Sequence, residues 1–232
     1  MVETAALIFD VDGTLAETEE LHRTAFNRAF AWAELDVVWD RARYRDLLKV
    51  TGGKRRIVHY FTGEGRAGDA AIAGRLHIAK NLYYAEALAA GIALRPGVAD
   101  TIERAKAAGL KLAIATTTGR SNLDALLAAI PLPRFDVIVT AEDVAALKPD
   151  PQVYRVALER LDVLAEAALA FEDSVNGLAA ASAAGLRTIV TPGLYTGDQD
   201  FSGAADIRPD LVGFDWRQLA RHSVEPGRSA TT

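Results

Sequence analysis

The chain has 232 residues, 50% of them hydrophobic and 25% charged, which suits one large domain, or a domain with an insertion, and excludes disordered, collagenous and disulfide-scaffold classes. Its 26 Lys and Arg against 31 Asp and Glu leave a net charge of −5, so neither a nucleic-acid partner nor an acidic membrane surface is expected. With no cysteine, disulfides, thiol nucleophiles, iron–sulfur clusters and thiolate zinc sites drop out together, which fits a reducing cytoplasm.

In chain order, an apolar run at 5–9 predicts the first strand. No basic leader precedes it, and no apolar stretch approaches the roughly 20 residues of a membrane span. A cytoplasmic monomer is expected. From 16 to 93 the strand pattern stops, and helical spacing predicts helices near 17–35, 40–49, 55–61 and 69–90, a helical insertion after the first strand. Arg95-Pro96-Gly97 marks the return of the chain. Thereafter helices at 98–108, 121–129, 151–161 and 174–184 alternate with apolar strands at 110–115, 137–139, 168–171 and 188–190. Gly109 and Gly185 follow two of these helices where a left-handed cap is wanted, and Asp150-Pro151 opens a third. Strand–helix repeats with fully apolar strands predict an α/β fold, a Rossmann-like, doubly wound parallel sheet. The core is assigned to 1–15 and 94–225, the insertion to 16–93, and 226–232 reads as a polar, flexible tail.

In open parallel sheets, ligands bind beyond the carboxyl ends of the strands. The first strand ends in Asp10-Val11-Asp12-Gly13, the next in Thr116-Thr117-Thr118; Lys148 follows the third, and Glu172-Asp173 ends the fourth. Taken singly, each has a plain structural reading: a turn, a strand-end cap, a solvated lysine, charges at a helix start. Together they aim four carboxylates, hydroxyls and one lysine at one edge. Carboxylates so placed repel unless a cation joins them, and hard oxygen ligands without His or Cys call for Mg²⁺. Such a site suits a phosphoryl group, which one Asp could attack to give an aspartyl-phosphate while a second, two residues on, serves as acid and base.

These residues resemble the four motifs of the haloacid dehalogenase superfamily: Asp10-Val11-Asp12-Gly13-Thr14-Leu15, Thr116, Lys148 and Glu172-Asp173. The insertion is similar to the α-helical cap of the β-phosphoglucomutase-like subfamily. Residues 12–22, Thr51-Gly52-Gly53-Lys54, Thr116-Thr117-Thr118, Glu172-Asp173-Ser174 and Pro192-Gly193-Leu194-Tyr195-Thr196 resemble CbbY proteins, phosphatases of xylulose 1,5-bisphosphate. The resemblance implies Asp10 as nucleophile and Asp12 as general acid/base, with Thr116 bonding and Lys148 neutralising the phosphoryl group. It implies Mg²⁺ held by Asp10, the backbone carbonyl of Asp12 and Asp173, with Glu172 a ligand or its neighbour. It further implies a phosphorylated sugar facing Thr117, Thr118 and, in the cap, Glu17, His22, Thr51, Gly52, Gly53, Lys54 and Lys80. Gly119-Arg120-Ser121 stands where CbbY proteins commonly carry Ser-Leu-Pro. A sugar-phosphate mutase is the alternative within this chemistry.

Two features are set aside. Gly63-Glu64-Gly65-Arg66-Ala67-Gly68 fits a dinucleotide fingerprint, the basis of a nicotinamide-dependent oxidoreductase, but no second strand ending in an acid follows it. It reads as a turn between helices. His59, His77 and His222 share no ligand spacing and are assigned surface or structural roles.

Overall fold

The computed structural model describes residues 2–219; the expected tail and His222 lie outside them. Six parallel strands form one sheet in the order β3-β2-β1-β4-β5-β6: β1 (Ala6–Phe9), β2 (Lys111–Ala115), β3 (Val137–Val139), β4 (Ala168–Glu172), β5 (Arg187–Val190) and β6 (Asp206–Ile207). β1 is central and wholly buried because both its faces are covered. Leu7 and Phe9 face one side, against α6 (Val98–Ala107) and α7 (Arg120–Ala129); Ala6 and Ile8 face the other, against α8 (Gln152–Leu161) and α9 (Val175–Ala183). The period-two alternation therefore divides one strand between two apolar layers, the doubly wound arrangement. The short β6 was not foreseen. Two residues, one of them charged, carry no strand period, and the pairing with β5 comes from the chain's return path.

Between β1 and α6 lie α1 (Glu19–Trp32), α2 (Arg41–Leu47), α3 (Gly53–Gly63), α4 (Ala67–Ala70) and α5 (Ala73–Ala89). Asp40 caps α2 by accepting the Arg43 N–H at 2.8 Å. The single helix expected at 69–90 is two: α4 buries none of its side chains, so no packing holds it in line with α5. Gly65, with φ of 70°, turns the chain between α3 and α4, so the glycine pattern is a helix-to-helix turn. This insertion has its own aromatic core of Phe26, Phe30, Trp39, Tyr44 and Phe61. Ala25, Tyr84 and Leu88, on α1 and α5, pack instead into the main core. Among the described residues no helix is long and apolar enough to cross a membrane.

Candidate active site

Strand order reverses on either side of β1 and β4, which opens a crevice at their carboxyl ends. The Asp10 N–H donates to Phe171 O at 3.0 Å, carrying the β1–β4 pairing one residue past the strand and setting Asp10 beside Glu172-Asp173. Thr116 follows β2, tied by its N–H to Val139 O at 3.0 Å. Lys148, from the loop before α8, reaches into this crevice. Its Nζ lies 2.6 Å from Asp10 Oδ1 and 2.7 Å from Glu172 Oε1, with the Tyr154 ring beneath it at 4.9 Å.

Glu172 is closed in on every side. The Tyr154 hydroxyl also donates to Oε1, and Oε2 presses on α9 where a Cβ on Gly177 would come within 1.9 Å. Asp173 accepts the Thr196 hydroxyl at 3.3 Å. It leaves room only for glycine opposite: Gly13 has φ of 79°, and a Cβ there would sit 2.3 Å from Asp173 Oδ2.

Asp10, Glu172 and Asp173 are buried, with carboxylate oxygens all within 4.8 Å of one another. Burial pushes the Asp10 carboxyl up, helped by the charges of Glu172 and Asp12 and opposed by Lys148, to about 8. Burial, with Asp10 and Glu172 beside it, raises Asp173 as well. Lys148 goes the other way: burial alone would lower it, but its two carboxylates keep it firmly protonated. Three packed carboxylates against one ammonium form a donor set that fits a hard divalent cation such as Mg²⁺. Asp10, Glu172 and Asp173 could each offer it one oxygen, Glu172 while also holding Lys148 and Tyr154 through Oε1.

Asp12 turns away from this cluster and toward the insertion. It accepts the hydroxyls of Thr18 and Thr118, and His22 Nε2 lies 3.2 Å from Oδ1. Burial raises this carboxyl, but the charge and hydrogen bond of His22 and the two hydroxyls outweigh it and hold Asp12 well below the usual carboxylate range. His22 stacks on Tyr84 at 3.9 Å and is pulled down by burial and by Lys80.

A cavity of about 430 Å³ joins the sheet edge to the insertion. Asp10, Asp12, Thr116, Thr117, Thr118, Lys148 and Asp173 line it on one side; His22, Thr51, Gly52, Gly53, Lys54 and Lys80 line it on the other. Glu17 lies beside the turn that holds Asp173: a Cβ on Gly193 would come within 3.2 Å of Glu17 Oε1 and 3.4 Å of Asp173 Oδ2. It precedes α1, 3.5 Å from Arg95 Nε and accepting the Leu194 N–H at 3.4 Å. His77 is half-buried on the cavity wall and brought down to about 4 by burial and neighbouring cations. Arg56, Glu19 and Asn176 also line the cavity and were not foreseen. Arg56 is buried on α3 together with Ile57 and Phe61, but at one and five positions from them it shares no helical stripe, so no local pattern marked it. Gly119 reaches the cavity, but the Arg120 guanidinium points to Asp124 at 2.8 Å.

On the insertion side, Arg56 and Lys80 have no carboxylate within bonding distance among the described residues, although Glu19 also lines the cavity. Arg56 donates to Leu47 O and the Tyr44 hydroxyl, both at 3.1 Å. The Lys80 ammonium sits over the Phe26 and Tyr84 rings at 5.1 and 5.0 Å, and burial pulls it down to about 7 against the attraction of Asp12. Charges left so poorly compensated wait for an anionic ligand.

Comparison with known proteins agrees with this chemistry. Residues 4–185 match the haloacid dehalogenase-like hydrolase family. Protein CbbY of Rhodobacter capsulatus is 53% identical over 216 residues, covering 90% of this chain and 95% of that protein. The crystal structure of CbbY from Rhodobacter sphaeroides with phosphate superposes with a TM-score of 0.81 at 47% identity, covering 90% of this chain and 95% of that one. A variant of the same protein, solved with xylulose 1,5-bisphosphate, gives 0.81 at 46% identity with the same coverage.

Proposed function

The chain belongs to the haloacid dehalogenase-like hydrolase family, as a phosphatase of sugar phosphates, and from that premise we propose that it hydrolyses xylulose 1,5-bisphosphate with Mg²⁺ through an aspartyl-phosphate. The observation that carries this reading is the two-sided cavity. Its sheet edge offers a nucleophile, a lysine and a cation site for one phosphate, while Lys54, Arg56 and Lys80 offer positive charge for a second. The relative bound to xylulose 1,5-bisphosphate supports the choice of sugar.

Asp10 attacks phosphorus, and the departing sugar oxygen takes a proton from Asp12, whose low pKa is raised by the negative charge of the bound phosphate so that it carries that proton from solvent. Asp12 then withdraws a proton from the water that cleaves the aspartyl-phosphate. Thr18, Thr118 and His22 hold the Asp12 carboxylate ready as that base. Lys148 fixes Asp10 and neutralises phosphoryl oxygens, and the Thr116 hydroxyl, which accepts the Thr118 N–H at 3.1 Å, keeps its own proton to donate. Asp10, Asp173 and the Asp12 carbonyl would hold Mg²⁺, with Glu172 a further ligand or their neighbour, and the bound ion would supply charge neutralisation for the attack of one anion on another. Residues 16–93 act as the cap of the core formed by 1–15 and 94–219, shutting water out while the phosphoryl group moves.

The test is phosphate release over a panel of sugar mono- and bisphosphates, with Mg²⁺ and with chelator. Xylulose 1,5-bisphosphate should give the highest kcat/KM, and chelation should abolish turnover. A sugar monophosphate turned over as well would defeat the bisphosphate reading, and undiminished activity in chelator would defeat the metal's role.

A further inference from the structure

The turn after β5 belongs to the sheet edge by sequence and to the insertion by contact. Tyr195 is 3% exposed and completes the insertion's aromatic core from outside. Its ring meets Tyr44 edge to face at 5.4 Å and 80°, and its hydroxyl donates to Glu20 at the start of α1. Tyr44 in turn receives the Arg56 guanidinium and donates to Glu19 at 2.7 Å, and Arg56 and Glu19 both line the cavity. The very next residue serves the other side. Thr196 Oγ1 accepts the Gly193 N–H at 2.8 Å and donates to Asp173 Oδ2 at 3.3 Å. Two consecutive residues thus join a carboxylate of the cation site to the aromatic packing that carries Arg56.

We propose that Tyr195 is a positioning residue that seats the helical insertion over the sheet edge, so that the insertion's cations meet the distal phosphate while Asp10 faces the proximal one. This rests on the function proposed above, and it adds a residue to which that function assigns no task. The physical reasoning is geometric. Other side chains also join the two regions: Thr18 and His22 meet Asp12, Glu17 meets Arg95 at 3.5 Å, Asn81, Thr51 and Arg45 meet Asn122, Asn176 and Asp198 at 3.1, 3.5 and 3.8 Å, and Ala25, Tyr84 and Leu88 pack into the main core. Among the described residues, Tyr195 is the buried side chain that reaches the insertion's own aromatic core from the sheet side. A buried aromatic ring excludes water and fixes an orientation. Because Cα atoms of neighbouring residues are held about 3.8 Å apart, Thr196 cannot stay on Asp173 while Tyr195 shifts far with the insertion.

The experiment compares Tyr195→Ala and Tyr195→Phe on xylulose 1,5-bisphosphate and on p-nitrophenyl phosphate, which has no second phosphate to be met. Tyr195→Ala should lower kcat/KM for the bisphosphate about tenfold, mainly through KM, and keep p-nitrophenyl phosphate within about threefold. Tyr195→Phe, which keeps the ring, should stay within about threefold on both. Equal losses on the two substrates, or no loss on either, overturn the proposal. Amide hydrogen exchange reads the same seat without substrate: Tyr195→Ala should quicken exchange across 39–47 and 56–61 and leave β1 and β4 unchanged. Unchanged exchange in those segments also overturns it. If the unaltered enzyme cleaves p-nitrophenyl phosphate but not the bisphosphate, the sugar assignment fails by itself, and exchange alone decides the role of Tyr195. Should the alanine variant melt below the assay temperature, Tyr195→Leu replaces it under the same criteria.

Discussion

The two walls of the cavity are built on opposite terms. On the sheet side the charges are tied to one another: Lys148 bridges Asp10 and Glu172, Glu172 is sealed by Tyr154 and α9, and Asp173, bonded to the Thr196 hydroxyl, leaves an excess of negative charge suited to a cation. On the helical side Lys80 rests on ring faces and Arg56 on neutral oxygens, with no carboxylate bonded to either among the described residues. The first wall is preorganised for a reaction and depends little on which ester is bound. The second is unsatisfied until an anion arrives, which is how a surface selects a ligand. Chemistry and choice of substrate are thereby separated in space, and each can be broken without the other.

The largest effect is expected at the nucleophile. Asp10→Asn removes the attacking oxyanion and should lower kcat by roughly four orders of magnitude on every phosphate ester. The fold should survive, since a crowded carboxylate cluster loses a charge. Phosphate release within tenfold of the unaltered enzyme would remove Asp10 from that role.

Next in size, Asp12→Ala should lose about two to four orders of magnitude in steady-state turnover, typical of a missing acid and base. Its side chain bonds Thr18, Thr118 and His22 rather than the cation site. Magnesium affinity, measured by titration calorimetry, should therefore be nearly unchanged. A parallel fall in metal affinity would show that Asp12 serves the cation through its carboxylate.

On the opposite wall, Lys54→Ala should raise KM for a bisphosphate by the equivalent of about 1.5–3 kcal/mol, the worth of one charge-assisted hydrogen bond. p-Nitrophenyl phosphate should be cleaved as before. A constant ratio of kcat/KM for the two substrates would sever Lys54 from the distal phosphate and collapse the contrast between the walls.

The smallest effect is a pH dependence. Lys80 is brought down to about 7 by burial, so it sheds its proton near neutrality, while bound phosphate favours the charged form. KM for the bisphosphate should rise by up to about tenfold between roughly pH 6 and pH 8, and Lys80→Met should flatten that rise. The effect on folding has the opposite sense. From about 7 up to the ordinary lysine value of 10.5 the unfolded chain holds a proton that the fold does not, so this group makes stability increase with pH. A profile identical in Lys80→Met would assign the dependence to the substrate's own phosphate.

The sheet-side wall was legible in the residues because its geometry is local. A strand of four buried residues fixes where Asp10 emerges, and the rule for parallel sheets sends Thr116, Lys148 and Glu172-Asp173 to the same edge. Side-chain period, helix caps and strand composition are short-range properties, and they locate both the elements and the ends at which chemistry gathers. The helical wall was read less well for the converse reason. Which side of a helix faces a cavity depends on how segments distant in sequence pack. Arg56 enters the cavity because Tyr44 and Leu47 receive it, and Glu17 is turned toward Arg95, 78 positions on. Asp12 lies two residues from Asp10, yet it turns to the other wall because Thr18, His22 and Thr118 converge there. Residue types and strand ends determined the reaction's machinery; the directions of Asp12, Glu17, Arg56 and Tyr195 were decided only by tertiary packing, because no local period encodes a contact between helices that meet in space alone.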